Sequence, residues 1–253
     1  MAVYNFGAGK LIAVPTQDAL GNVIANPTPV LLGAMQDVQV DIGIDLKMLY
    51  GAQRYPLAVA QGKAKFEVKA KFADINAAAY GALFFGKTAT TGIKAAALDQ
   101  AVTIPATPFQ VTSSVPNSGT YGSDLGVYNA TTGNQLTRVA SAPAAGQYSV
   151  SALGVYTFAA ADTGAVMKIS YEYAAASTTG QIYSITNDLM GYTPAFTMLL
   201  QNTYLGKTTV VKVNQATSGK LSLPMKNEDF TISDFDAQAF ADNAGNIGYI
   251  CQY

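Results

Sequence analysis

The chain has no histidine, no tryptophan and a single cysteine among its 253 residues. Without histidine, Ser-His and Cys-His dyads, histidine-ligated zinc and the commonest general base are excluded. One thiol, Cys251, can form neither an internal disulfide nor a thiolate metal site, and the expectation for it is a small buried apolar side chain. Charge is scarce as well: 12% of residues are charged, against a usual quarter. Much of the surface is therefore Ala, Gly, Ser, Thr, Asn and Tyr, which tolerates burial against other protein. A net charge of -1 gives little colloidal repulsion and no basic excess for sequence-independent phosphate binding. Long hydrophobic runs are missing too. The longest, Ala77 to Phe85, is about half of a membrane span. The first residues, MAVYNFGAGKLIAVP, lack a charged segment followed by a long apolar one, so no signal peptide is expected. The expectation is a soluble chain made in a cytoplasm, with no membrane partner, no cofactor and no metal.

What is present is clearest between Gln36 and Lys87. Val38, Val40, Ile42, Ile44 and Leu46 alternate with polar residues, and Ala64, Phe66, Val68, Ala70 and Phe72 alternate with Lys63, Lys65, Glu67, Lys69 and Lys71. A period of two puts alternate side chains on opposite faces, so both runs are strands with one apolar and one wet face. Leu46 to Gln61 between them reads as a long connection carrying Leu49, Tyr50, Arg54, Tyr55, Pro56 and Leu57. After the second strand, Asp74 is a good N-cap and Ile75 to Phe85 an Ala-rich core helix.

Upstream, Gly21-Asn22 between Ala19-Leu20 and Val23-Ile24 predicts a hairpin turn. Residues 87 to 100 are small and polar and read as a linker. From Ala101 to about Ser177 the chain is nearly free of charge, and turn clusters separate short β-prone runs. Such spacing predicts a small all-β, immunoglobulin-like sandwich. Tyr148, Tyr156, Tyr171 and Tyr173 are expected as core or edge aromatics with hydroxyls reaching the rim. Alternating strands return at Gln181 to Thr186, Ala195 to Tyr204, Thr208 to Val213, Lys220 to Met225, Phe230 to Ala241 and Ile247 to Tyr253, with a last hairpin at Asn243 to Asn246. Matching segments flank an unlike one. This predicts a mainly β, discontinuous main domain, 1–98 plus 179–253, with an inserted domain at 99–178.

Gly81 to Thr88 formally matches a phosphate-binding loop, but a helix precedes it and its variable positions are Leu and two Phe. Close helix packing at Gly81 and a helix C-cap at Gly86 account for the glycines. Asp37, Asp41 and Asp45 share one strand face at intervals of roughly 13 Å, too far apart for a shared proton or one metal ion. They form either a solvated face or an acidic stripe lining a channel. Lys63, Lys65, Lys69 and Lys71 around Glu67 form either an edge-strand guard against aggregation or the basic half of an inter-subunit contact with that stripe. Glu228, Asp229, Asp234 and Asp236 form a second acidic group, split by Phe230, Ile232 and Phe235, which are expected to point into the core.

The run IDLKMLYGAQRYPLAVAQGKAKFEVKAKFADI and the helix after it resemble the tail tube (major tail) proteins of long-tailed bacteriophages. NDLMGYTPAFTMLLQNTYLGKTTVVKV and LPMKNEDFTISDFDAQAFADNAGNIGYI are similar to the C-terminal half of that family. GQYSVSALGVYTFAAADTGAVMKISYEY is similar to an all-β insert found in phage virion proteins. The resemblance implies a β-sandwich or half-barrel with one flanking α-helix. It implies self-assembly into hexameric rings that stack into a tube, with the tape-measure protein inside and genomic DNA passing through without specific binding. Tail terminator and baseplate proteins would cap the tube, and the location is the virion tail. The loop Leu46 to Gln61 would pack on a neighbouring subunit or ring, with Lys63 to Lys71 at subunit contacts and Asp37, Asp41 and Asp45 facing the lumen. The inserted domain points to a non-contractile tail. A tail terminator or baseplate ring subunit, or a surface adhesin or carbohydrate-binding module, are the alternatives.

Overall fold

Period-two alternation and clusters of Gly, Pro, Asn and Asp dictate a chain of strands, and strands dominate what forms. The computed structural model describes residues 4–73, 77, 79–225, 227–228 and 230–253. In chain order the strands are β1 (Lys10–Gln17), β2 (Val30–Leu32), β3 (Met35–Tyr50), β4 (Pro56–Phe72), β5 (Thr90–Thr91), β6 (Ile93–Thr103), β7 (Gln110–Thr112), β8 (Thr120–Asn129), β9 (Thr137–Arg138), β10 (Gln147–Val150), β11 (Val155–Phe158), β12 (Val166–Ala175), β13 (Gln181–Ile182), β14 (Ala195–Tyr204), β15 (Lys207–Leu221), β16 (Ser233–Phe240) and β17 (Gly248–Gln252). They divide into two units, Met1–Ala89 with Tyr183–Tyr253, and Thr90–Ile182. Among the described residues no helix is long and apolar enough to cross a membrane.

The first unit is one antiparallel sheet in the order β2-β1-β14-β15-β16-β4-β3, with β17 also paired to β15. Alternate residues of these strands turn to one core: Leu11 and Ala13, Phe196 and Met198, Phe235 and Ala237, Val68, Ala70 and Phe72. Val30 and Leu32 from one end of the sheet join the same core as Val38 and Val40 from the other, so the sheet curls round a single interior. Phe196 and Phe235, both fully buried, lie with ring centroids 5.9 Å apart at its centre.

Of the helix expected from Ile75 to Phe85, the described part is an α-helical Ala77 and a π-helical turn at Ala79–Phe84, which plugs this interior with Ala79 and Leu83. The Phe85 N–H donates to the Tyr80 carbonyl, five residues back, the spacing of a π turn. Asp74, Ile75, Asn76 and Ala78, including the proposed N-cap, lie outside the described residues. A Cβ on Gly81 would fall 1.7 Å from the Tyr183 ring, so the ring occupies the space that any other residue would fill. Gly86 ends the turn at φ +59°, backbone that favours glycine.

Several boundaries differ from expectation. Leu46 to Gln61 is not a loop: β3 and β4 run on through it and reverse only at residues 51–55. Thr208–Val213 and the start of Lys220–Met225 are one strand, β15, because Gln215 to Ser218 pair with β16, and Ala216 also with Phe196 of β14, despite their polarity. The Gly21-Asn22 turn is a wider loop held by Asp18, whose carboxylate accepts the N–H groups of Leu20 and Asn22. Asn243 to Asn246 makes no hairpin: β16 and β17 lie end to end along the same edge of β15, with an Asp242-closed loop between them. Phe230 and Ile232 are exposed, and only Phe235 of that trio is buried.

The second unit has a three-stranded sheet, β6-β12-β8, and a four-stranded sheet, β7-β11-β10-β9. Ile169 and Tyr171 of one and Tyr148, Tyr156 and Phe158 of the other share one core. Residues 93–100, expected within a linker, belong to β6, which pairs along β12 with one irregularity opposite Ile169–Tyr171. The hydroxyls of Tyr148 and Tyr156 turn inward, to a buried carboxylate. Tyr148 and Tyr156 donate to Asp124 at 2.6 and 3.0 Å, and Tyr171 donates to the Ser114 carbonyl at 2.8 Å. Burial raises the pKa of Tyr148 and Tyr156, and the Asp124 carboxylate adds to the shift.

Replacing Phe235 with Ala is expected to cost about 3–5 kcal/mol of stability, the usual cost of emptying a fully buried aromatic site. Replacing Ile44, 47% exposed, with Ala is expected to cost no more than about 0.5 kcal/mol in the dispersed chain. Denaturant titration of the two variants at low protein concentration checks both.

Candidate functional site

The feature that stands out from the core is the long β3–β4 hairpin. Its two strands pair from Met35↔Phe72 to Tyr50↔Pro56. Only the proximal part is supported by a third strand, since β16 pairs β4 over residues 67–72 alone. From Ile42 outward the hairpin is a two-stranded ribbon extending about 27 Å, at the usual rise per residue.

Its two faces follow from the register. Val38, Val40, Ile42, Ile44, Leu46, Met48 and Tyr50 share one face of β3, and their partners include Ala70, Val68, Phe66, Ala64 and Val59. Near the core these side chains are buried or half-buried. Farther out the same stripe is open to solvent: Ile42 55%, Leu46 55%, Tyr50 57%, Leu57 66% and Val59 55% exposed. Between Ile44↔Ala64 and Leu46↔Gln61 β4 advances one residue more than β3. This bulge shifts the alternation of β4, so Leu57, Val59 and Gln61 stay on the side of Ala64 and Phe66. Without it the outer half of β4 would turn its apolar residues away from those of β3.

The other face collects charge. Asp37 lies opposite Lys71, Gln39 opposite Lys69, Asp41 opposite Glu67 and Gly43 opposite Lys65. On the far side of β4, Lys71 faces Asp234 and Lys69 faces Asp236, which in turn faces Lys220. Asp45 and Lys63 lie at the bulge. The expected acidic stripe and basic face are therefore one face, and the lysines cannot be assigned to a surface apart from the aspartates. The Lys69 ammonium is 3.6 Å from Asp41 and 3.7 Å from Glu67, and Lys65 is 2.5 Å from Glu67. Alternation along one strand showed each charge; only the cross-strand register showed which charges meet. Asp234, Asp236 and Lys220 belong to this face through non-local pairing alone.

The remaining predicted contact residues divide between the faces and the tip. Leu46 and Tyr50 lie on the apolar face, whereas Leu49, opposite Ala58, lies on the polar one. Arg54 and Tyr55 form the tip, with Tyr55 77% exposed. Pro56 starts β4. Cys251 is exposed, not buried, because β17 is open on both faces.

The phosphate-loop match does not form such a loop. Leu83 is buried, Gly81 lies under Tyr183, and the Lys87 ammonium is paired with Asp188 at 2.8 Å. A depression of about 570 Å³ beside the N-terminal arm is lined by Phe6, Lys10, Ile12, Leu199 and Gln201 among others. Lys10 is the one ionisable group among the described residues that line it. No protein-family model and no curated protein matches the chain.

Ion pairing with Lys65 and, less strongly, Lys69 holds the Glu67 carboxyl below its ordinary 4.5. A carboxyl lowered in this way keeps its pairing above the ordinary value and loses it as pH falls through the lowered one. Lys65→Gln is expected to move the Glu67 midpoint upward towards 4.5, as read by carboxyl-carbon NMR titration.

Proposed function

We propose that the chain is a structural, self-assembling subunit of a bacteriophage tail: a tail tube protein that forms stacked hexameric rings around a DNA-conducting lumen. The observation that carries this reading is the apolar stripe that leaves the core along β3–β4 and continues, half-exposed, to Tyr50. A two-stranded ribbon in water is marginal at best, and a continuous exposed apolar surface marks a contact site. Among the described residues the outer edge of β3 is also unpaired along its 16 residues. Open edges with little charge on the apolar side invite uncontrolled pairing unless a symmetric assembly closes them. A ring of sister copies supplies both a cover for the stripe and a partner for the edge.

On this reading the curled sheet is the tail-tube half-barrel, and Thr90–Ile182 is an inserted immunoglobulin-like domain. A second folded unit on every subunit leaves little room for a closely fitted contractile sheath, which favours a non-contractile tail. The tape-measure protein would occupy the lumen, and terminator and baseplate proteins would close the ends.

The double variant Met48→Asp/Val59→Asp places two carboxylates opposite each other on the exposed stripe. It is expected to unfold within about 0.5 kcal/mol of the parent and to remain as single particles in negative-stain images. The parent chain is expected to form stacked rings. Isolated rings from the parent would indicate a terminator or baseplate subunit instead. A parent chain that stays monodisperse at high concentration, or a variant that assembles normally, would sink the proposal.

A further inference from the structure

The second unit carries an edge strand with little to guard it. Among the described residues β6 pairs with β12 on one side and with no strand on the other. Long edge strands are usually protected by charge, proline or distortion. From Lys94 to Leu98 β6 has one charge and no proline, and its irregularity comes only at the end of that stretch, where Leu98 and Asp99 together oppose Ser170. There Asp99 sits at φ +54°, its N–H donating to the Ser170 hydroxyl at 3.0 Å. We propose that this edge is a homotypic contact: β6 of one copy pairs antiparallel with β6 of a second copy, about a two-fold axis at Ala96. Such a contact goes beyond the tail reading and uses no residue of the β3–β4 hairpin.

The edge's own symmetry identifies the second copy. Outward from Ala96 stand Ala95 and Ala97, then Lys94 on one side and Leu98 with Asp99 on the other. In an antiparallel pair centred on Ala96, each Lys94 faces the Leu98–Asp99 irregularity of the other strand. Among the described residues neither Lys94 nor Asp99 has an ion-pair partner, and the two-fold supplies one to each. Opposed residues of such a pair share a face. Lys94, Ala96 and Leu98 are all exposed, whereas Ala97 packs against the core. The exposed face holds a depression of about 460 Å³, lined by Lys94, Ala96, Gly122, Glu172 and Ala174 among others. Leu98, 70% exposed, stands opposite Lys94 of the other copy and so reaches the rim of that copy's depression. The reciprocal leucine does the same. Charge, apolar side chain and ladder repeat about one axis, as in an isologous interface. A contact this small belongs to the weak class, so it forms at high protein concentration and separates at the dilution of a stained grid.

The test is disulfide trapping in the full-length chain carrying Cys251→Ser, with Met48→Asp/Val59→Asp to take the hairpin stripe out of the outcome. Ala96→Cys puts a thiol on the axis, where the two Cβ atoms stand about 5 Å apart, close to disulfide reach. Ala101→Cys puts one on the same strand, also exposed, but roughly 33 Å from its symmetry mate. Under mild oxidation at high concentration, Ala96→Cys is expected to give a linked pair at least about tenfold faster than Ala101→Cys on a non-reducing gel. Adding Lys94→Glu sets like charges against each other across the axis and is expected to bring that rate down to the Ala101→Cys level. Lys168→Glu, the same charge change on β12, is expected to leave the rate within about twofold. Equal rates at the two positions, no linked pair from Ala96→Cys, or indifference to Lys94→Glu would overturn the proposal. None of these outcomes depends on whether the parent forms tubes, and a negative result leaves the hairpin reading untouched.

Discussion

A β-sheet must bury one face, and this chain has more apolar sheet face than interior. The stripe that begins among Val68, Ala70 and Phe72 is continuous with Ile42, Ile44, Leu46 and Met48, yet the core stops where β16 leaves β4. Beyond that point nothing in the described part of the unit covers the side chains. The bulge near Gly62 keeps the stripe on one side instead of letting it cross to the other. A ribbon meant only to be solvated would gain nothing from that correction. The rest of the unit is consistent with the same constraint. The curled sheet, the π turn with its buried Leu83, and Gly81 beneath Tyr183 all close the interior at the near end of the hairpin. The far end of the stripe is open to solvent.

The opposite face meets a different requirement. Its carboxylates and lysines sit in register across strands, so each charge is moderated by neighbours from the same chain. Exposed pairs of this kind contribute little to stability, of the order of 0–1 kcal/mol each. Their effect lies in the field the surface presents. A separate acidic stripe and a separate basic patch would make the unit a strong dipole, prone to capture polyions or to stack on itself. Interleaving removes that dipole while keeping the face wet.

The second unit shows the complementary case of polar groups turned inward. Its tyrosines are buried, and burial of a hydroxyl without a partner is costly. Asp124, with its side chain 3% exposed, accepts from both Tyr148 and Tyr156 and lies 3.7 Å from Arg138. One carboxylate thus satisfies the polar ends of two aromatics that the core needs for their area. Ser113 remains the exception among the described residues, its buried hydroxyl without a hydrogen-bond partner.

Alternation alone determined that Val38 to Leu46 and Ala64 to Phe72 are amphipathic strands, that the chain is mainly β, and that the text changes character near its middle. These signals are local: a period of two needs only neighbours in sequence. Absent histidine and sparse charge likewise narrowed the chemistry without any fold. What stayed hidden depends on partners far along the chain. The length of β3 and β4 was obscured because Gly51 to Tyr55 and the bulge at Gly62 look like one long loop when read singly. The exposure of Cys251, the pairing of β17 with β15 and the convergence of two tyrosines on Asp124 arise from contacts dozens of residues apart. Most of all, which lysine faces which aspartate is set by register, and register is the property of two strands together. A sequence states which side of its own strand a residue takes; only the assembled sheet decides what stands beside it.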